Sequence, residues 1–193
     1  MRYGQEQKQA TRRRIIETAG RRFKQDGIDG SGIATLMKDA GLTNGAFYAH
    51  FTSKDDLVAT TVTDQLHEQS ASFSAQADRA GIEQIVREYL SVEHRDNPRD
   101  GCPSAALLDE IGRGPEATKQ AYTDGLLIIL DDIAARLAPD EPRSARVTTL
   151  SVFAMMVGTL QLSRALAHRQ LSDDVLEQGI HNALALLGAK PEQ

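Results

Sequence analysis

The sequence predicts an all-α protein of about nine helices, on three observations. Glycine and proline punctuate segments whose apolar residues recur at helical spacing. No segment shows the alternation of a half-buried strand. The two turn-forming pairs, Asp29-Gly30 and Asn44-Gly45, sit beside helical patterns and not between alternating ones.

Taken in order, the first helix is expected from about Thr11 to Gln25. Ile15, Ile16, Ala19 and Phe23 form its inner stripe, arginines its outer face, and Gly27 its stop. Ser31 is the expected cap of a short second helix carrying Ile33, Leu36 and Met37 and ending at Gly41. Thr43 is expected to cap a third, holding Ala46, Phe47 and Phe51. Ser53 opens a fourth, with Asp56 completing a capping box ahead of Leu57, Val58, Val62 and Leu66. Beyond residue 80 the helices lengthen. One runs from Ile82 to His94, and a short one from Pro103 to Ile111 is interrupted by Gly112 and Gly114. The next starts at Pro115 and reaches Leu137, and another covers Arg143 to His168. The last covers Ser172 to Leu187 and ends at Gly188.

Charge divides the chain. Residues 1–54 carry a net charge of +5 and residues 55–193 carry −10, within a total of −5. A basic head on an acidic body suits a nucleic-acid contact made by the head alone. The expected domains are therefore 1–54, a basic DNA-binding head, and 55–193, an acidic helical body. The one cysteine, Cys102, excludes an internal disulfide framework and fits a reducing cytoplasm. Without a signal-like start or an unbroken run of eighteen apolar residues, neither export nor a membrane span is expected. The histidines, His50, His67, His94, His168 and His181, lack metal-ligand spacing, so no metal and no cofactor is expected.

The informative stretch is residues 27–57. Two short helices meet at a tight turn on Gly41, and the second is small and polar at Thr43, Asn44 and Gly45. Such an end can enter a major groove. Gly41, Gly45, Tyr48, His50, Phe51, Ser53, Lys54 and Leu57 fall at the spacing G-x-x-x-G-x-x-Y-x-H-F-x-[SN]-K-x-x-L. On those residues, with Phe23 and Gly27 upstream, the segment resembles the DNA-binding domain of the TetR family of repressors. The resemblance implies base contacts from Thr43, Asn44, Gly45 and Ala46, and phosphate contacts from Tyr48, His50 and Lys54. The family often has Lys or Arg at Asn44 and Thr or Ser at Ala46, which leaves the operator sequence open. The basic start, with Arg2, Lys8, Arg12, Arg13 and Arg14, is either a solvated arm or a further phosphate or minor-groove contact.

The resemblance implies a homodimeric, ligand-released repressor of a palindromic operator. The apolar run Val152 to Leu160, with Val175, Leu176, Gly179, Ile180, Ala183, Leu184 and Leu187, makes the last two helices the expected dimer surface. Gly158 and Gly179 would let helices approach there; the alternative is burial within one chain. The expected effector pocket lies among residues 82–168, with Tyr89, His94, Cys102, Tyr122, Phe153, Met155, Met156 and Gln161 as candidates. Cys102 precedes Pro103 at a helix start, near Arg99 and His94, and G-C-P-x-x-A-L-x-x-E-I resembles an arrangement in cysteine-sensing members of the family. An oxidant- or electrophile-sensing repressor is thus the alternative, with a ligand-independent architectural DNA binder less expected. No catalytic residue is assigned: Cys102 and His94 lack an orienting third group, so an enzyme is not expected.

Overall fold

The computed structural model describes residues 2–75 and 79–188. Among them are nine α-helices: α1 (Arg2–Asp26), α2 (Ile33–Asp39), α3 (Lys54–Ser74), α4 (Arg79–Tyr89), α5 (Val92–Asp96), α6 (Pro103–Arg113), α7 (Glu116–Leu137), α8 (Pro142–Ala165) and α9 (Arg169–Leu186). Two 3₁₀ segments, Asn44–Ala49 and Pro98–Asp100, complete them, and no strand occurs among the described residues.

The turn between α2 and the first 3₁₀ segment follows from one glycine. Gly41 takes φ +65°, its N–H reaches the Lys38 carbonyl, and the N–H of Leu42 reaches that of Met37 at 2.8 Å. These two bonds satisfy carbonyls that the end of α2 would otherwise leave open, and only a residue without a Cβ adopts that φ cheaply. Gly27 (φ +80°) closes α1 in the same region of backbone space. At α3 half of the expected box forms: Ser53 accepts from the N–H of Asp56, whose carboxylate accepts instead from the N–H (2.9 Å) and hydroxyl (3.0 Å) of Thr52, one residue before the cap.

Several boundaries differ from expectation. The chain from Arg2 onward is helical, so the basic start is a rigid extension of α1; Arg2's own side chain lies outside the described ones. Ser31 does not cap α2. It is buried, its hydroxyl donates to the Gly27 carbonyl, and Gly32 holds the cap position. Thr43 stands at the cap position of the 3₁₀ segment without a side-chain capping bond. The helix expected from Ile82 to His94 breaks after Tyr89, where Ser91 caps a new start by accepting from the His94 N–H. Gly112 lies inside α6, which ends only at Gly114.

Two cores hold the assembly. One gathers Ile15, Phe23, Leu36, Phe47 and Leu57 with Leu107, Ile111, Tyr122 and Ile129, so it runs from α1 and α2 into α6 and α7. The other joins Tyr89, Leu90 and Cys102 to Phe153, Met156, Leu160 and Leu176. Gly179 belongs here: a Cβ on it would stand 2.6 Å from Thr159 Cγ2, so it serves close packing of α9 on α8 within one chain. Two arginines pin this half together. Buried Arg95 donates to Asp96, Ser172 and Asp173, and Arg164 donates to the carbonyls of His94 (2.8 Å), Arg95 (3.1 Å) and Ala105 (3.2 Å).

One helix, α8, is long and apolar enough to cross a membrane by length and composition alone, and 33% of that stretch is buried inside the protein. Its inner side is in the second core. Its outer side (Val147, Leu150, Ala154, Gly158, Leu162) is exposed, and nothing lies within 4 Å of a Cβ built on Gly158.

Candidate nucleic-acid interface and body cleft

The 3₁₀ segment Asn44–Ala49 is fixed from behind by aromatic packing. Phe47 is fully buried, its ring 5.7 Å from Phe51 and 5.2 Å from Tyr48 in an edge-to-face contact. With Phe47 facing inward, Thr43, Asn44 and Gly45 are exposed along the leading edge, Ala46 is half-buried against the core, and Tyr48 is 68% exposed. The arrangement offers a short polar edge on a rigid base, which is what base contact in a groove requires.

His50 ends this segment, its N–H bonded to the Phe47 carbonyl. The ring is half-buried, and Nδ1 is sealed from solvent without a partner. Burial, then the charges of Lys8 and Arg12, hold its imidazole below the ordinary histidine range. Arg12 lies over the Phe51 ring at 4.8 Å. Lys54, half-buried, donates to the Ile28 carbonyl and so ties the loop after α1 to the start of α3.

The expected effector residues separate into five places. Tyr89, His94 and Cys102 line one cleft of about 900 Å³. Phe153 and Met156 line a second, wholly apolar cavity of about 40 Å³. Tyr122 lines neither and donates to the Ser104 hydroxyl at 3.0 Å. Gln161 is exposed on α8, and Met155 is half-buried against the second core. Burial pushes the Tyr89 and Tyr122 hydroxyls up, and Cys102 beside the Tyr89 hydroxyl adds to its rise.

The larger cleft is organised around His94. Its Nδ1 stands 2.7 Å from the Tyr89 carbonyl, and its Nε2 accepts from the Cys102 N–H at 3.0 Å. Those partners require the neutral Nδ1–H tautomer. Cys102 is 5% exposed, and its thiol faces Gln69 Oε1 at 3.5 Å. Arg99 is exposed, and His94 meets the Cys102 backbone and not its thiol.

Sequence reasoning missed the opposite wall. Lys24 of α1 and Gln65, Glu68 and Gln69 of α3 line the cleft with the expected residues. Lys24 donates to the Gly101 carbonyl at 2.8 Å, and its ammonium is held below the usual lysine range by burial. Polar residues one helical turn apart, Gln65 and Gln69, beside the apolar Leu57–Leu66 stripe were the available signal.

An exposed polar edge, set by a glycine turn on a basic head, is the geometry of a helix-turn-helix segment. Residues 15–61 match the family described as bacterial regulatory proteins, tetR family. Over those residues the chain is similar to the TetR family. It is 43% identical over 63 residues to the regulator TtgR of Pseudomonas putida, a match covering 33% of this chain and 30% of that one. It is 26% identical over 165 residues to an HTH-type transcriptional repressor of Mycobacterium tuberculosis, covering 68% of this chain and 84% of that one. Among solved structures, reduced NemR of E. coli superposes with a TM-score of 0.77 at 17% identity, covering 90% of this chain and 95% of that one, and shares the fold.

Proposed function

We propose that the protein is a transcriptional repressor that binds a palindromic operator as a homodimer and leaves it when a small molecule occupies the body cleft. The single observation that carries this reading is the exposed edge Thr43-Asn44-Gly45, held at a fixed angle by buried Phe47 on a head of net charge +5. In this reading Thr43, Asn44, Gly45 and Ala46 face bases, Tyr48 and His50 face the sugar-phosphate backbone, and residues 1–54 act as the operator-binding unit. One short helix contacts too few base pairs for operator specificity, so two heads about one DNA turn apart are required. The uncovered outer side of α8, with Leu171 and Leu186 of α9 also exposed, supplies an apolar surface for a second copy of the chain. A DNA partner places the protein in the cytoplasm.

The effector reading rests on the cleft around Tyr89, His94 and Cys102. Its walls include Lys24, in the last turn of α1. Arg21, one turn earlier, pairs with Asp100 at 3.4 Å. A molecule in the cleft therefore meets the head itself, and its differential affinity for two head positions sets how far it releases DNA.

The test is selection of bound duplexes from a random DNA library by the purified protein. Recovery of an inverted repeat, with competition by small molecules that also protect Cys102 from a thiol reagent, is the expected result. A folded protein that enriches no sequence would end the repressor reading. Enrichment with release only by thiol-modifying reagents, lost in Cys102→Ser, would replace the effector by covalent sensing.

A further inference from the structure

One peptide unit joins the head to the body from both of its edges. The Gly101 carbonyl accepts from the Lys24 ammonium of α1 at 2.8 Å, and the N–H of the same unit, on Cys102, donates to His94 Nε2 at 3.0 Å. A trans peptide points these two groups in opposite directions, so Lys24 and His94 grip one plane from opposite edges, and each bond polarises the other. Geometry also fixes the ring. The Tyr89 carbonyl, 2.7 Å from Nδ1, can only accept, so Nδ1 carries the proton and Nε2 is the nitrogen left to accept. Gly101 makes room for the ring: a Cβ there would stand 2.4 Å from Nε2. A second tie reaches the same segment, because Arg21 pairs with Asp100 at 3.4 Å.

We infer that His94 is a pH-sensitive lock between head and body, holding the Gly101–Cys102 peptide in place for Lys24 when neutral and letting it go when protonated. A second proton on the ring has one place to go, Nε2, and the Cys102 N–H already occupies that lone pair. Proton and peptide therefore compete for one site. Once protonated, Nε2 is a donor facing a donor, and the bond is lost. Because carbonyl and N–H belong to one rigid unit, the acceptor offered to Lys24 turns away with it. The charged groups facing the ring are Lys24 of α1 and Arg164 of α8, whose guanidinium donates to the His94 carbonyl at 2.8 Å. Both oppose the proton, and the Tyr89 carbonyl of α4 favours it. The other charges on the cleft wall are Glu68 of α3, Arg87 and Glu88 of α4, Glu93 of α5, and Asp100. The half-buried ring lines this cleft, so water delivers the proton. The lock goes beyond the effector reading, since the proton is an input of its own; only its consequence for DNA rests on operator binding.

The experiment is an NMR titration of the full-length ¹⁵N-labelled protein from about pH 8 to about pH 5, following the His94 ring nitrogens and the Cys102 amide. In the wild type both are expected to move with one midpoint. Lys24→Met removes a facing cation and should raise that midpoint. His94→Gln keeps a neutral acceptor and should leave the Cys102 amide flat. Fluorescence anisotropy with the inverted-repeat duplex from the library selection then reads the head. Wild-type affinity divided by that of His94→Gln cancels His50 and every other group the two share. That ratio should fall as pH drops through the midpoint, by up to about tenfold per unit for one proton. His181→Gln, exposed on α9, is the control and should match the wild type. A wild-type Cys102 amide that stays put while the ring titrates would overturn the lock without any variant. A midpoint unmoved in Lys24→Met would overturn the link to the head. A flat affinity ratio, with both proteins bound to duplex, would overturn release of the head. Failure to enrich any duplex would remove the operator reading, and the two NMR outcomes would still decide the lock.

Discussion

Lys54→Ala separates a structural tie from a phosphate contact. The side chain is half-buried and its ammonium donates to the Ile28 carbonyl, closing the loop between α1 and α2 onto the first turn of α3. A hydrogen bond from a charged donor contributes roughly 1.5–3 kcal/mol when both groups are sheltered. Here both residues retain partial solvent contact, and water can replace the ammonium at the carbonyl, so about 1–2 kcal/mol is the expected loss. For a chain of 193 residues that is roughly 2–8 °C in Tm. Asp55 and Asp56 occupy the first turn of α3 beside it, which further weakens that helix start as a phosphate site. The assay pairs thermal unfolding with the salt dependence of duplex binding. The tie predicts a lower Tm with the salt slope intact. An unchanged Tm with the slope reduced by about 0.9 would refute it and return Lys54 to the phosphate role that its place in the motif suggests.

Three further outcomes are expected. Leu162→Asp, on the outer side of α8 at 53% exposure, should leave folding intact and halve the mass measured by light scattering; a mass equal to wild type would move the dimer seam elsewhere. Gly125→Ala and Gly20→Ala gain the same helix preference, about 1 kcal/mol, but meet different neighbours. The new Cβ stands 2.8 Å from Leu66 Cβ at Gly125 but against the movable amide end of Gln65 at Gly20. Denaturant unfolding should show the first destabilised by up to about 2 kcal/mol, an overpacking cost of roughly 1–3 less that gain, and the second neutral or stabilised. Lastly, burial holds His94 below the ordinary value of 6.5, although the Tyr89 carbonyl raises it; Arg164 and Lys24 add to the depression. The unfolded chain takes up a proton at that ordinary value while the folded chain does not. Stability should therefore decline as pH falls below about 6.5 and level off once the folded ring protonates. Its slope should not exceed about 1.4 kcal/mol per unit for this one group, and His94→Gln should reduce it; a profile identical in that variant would assign the loss elsewhere.

What the sequence made legible was local chemistry with one available partner. Gly41, Ser53 with Asp56, and the Ile15–Phe23 stripe act within a few residues of themselves, and each fell where spacing put it. Ser31 did not, because a hydroxyl next to a cap position can also turn inward, and the Gly27 carbonyl offered it a buried acceptor. The break at Ser91 was hidden because Leu90 and Val92 continue the apolar pattern across it without glycine or proline. On α8 both sides are apolar, so periodicity gave two faces without saying which is inside. Gln161 was therefore assigned to a pocket from which it points away, and Gly179 to a seam between chains when it packs within one. Residues 2–10 are polar all round and carry no stripe, which concealed their helix. The cleft's far wall needed α1 and α3 to come opposite Gly101 and Cys102, contacts that span 77 and 33 residues of chain.

The first core does not stop where the charge pattern does. Phe47 and Leu36 of the head share it with Leu107, Ile111, Tyr122 and Ile129 of α6 and α7. A fragment ending at residue 54 would carry the recognition edge with half of its supporting surface stripped bare. Grafting this head onto another body is consequently not a matter of joining at a linker: α3 and a matching replacement for those four side chains have to travel with it. The same continuity means that head and adjoining helices melt together, so a chain that has lost its grip on DNA by unfolding has lost the wall of its cleft in the same event.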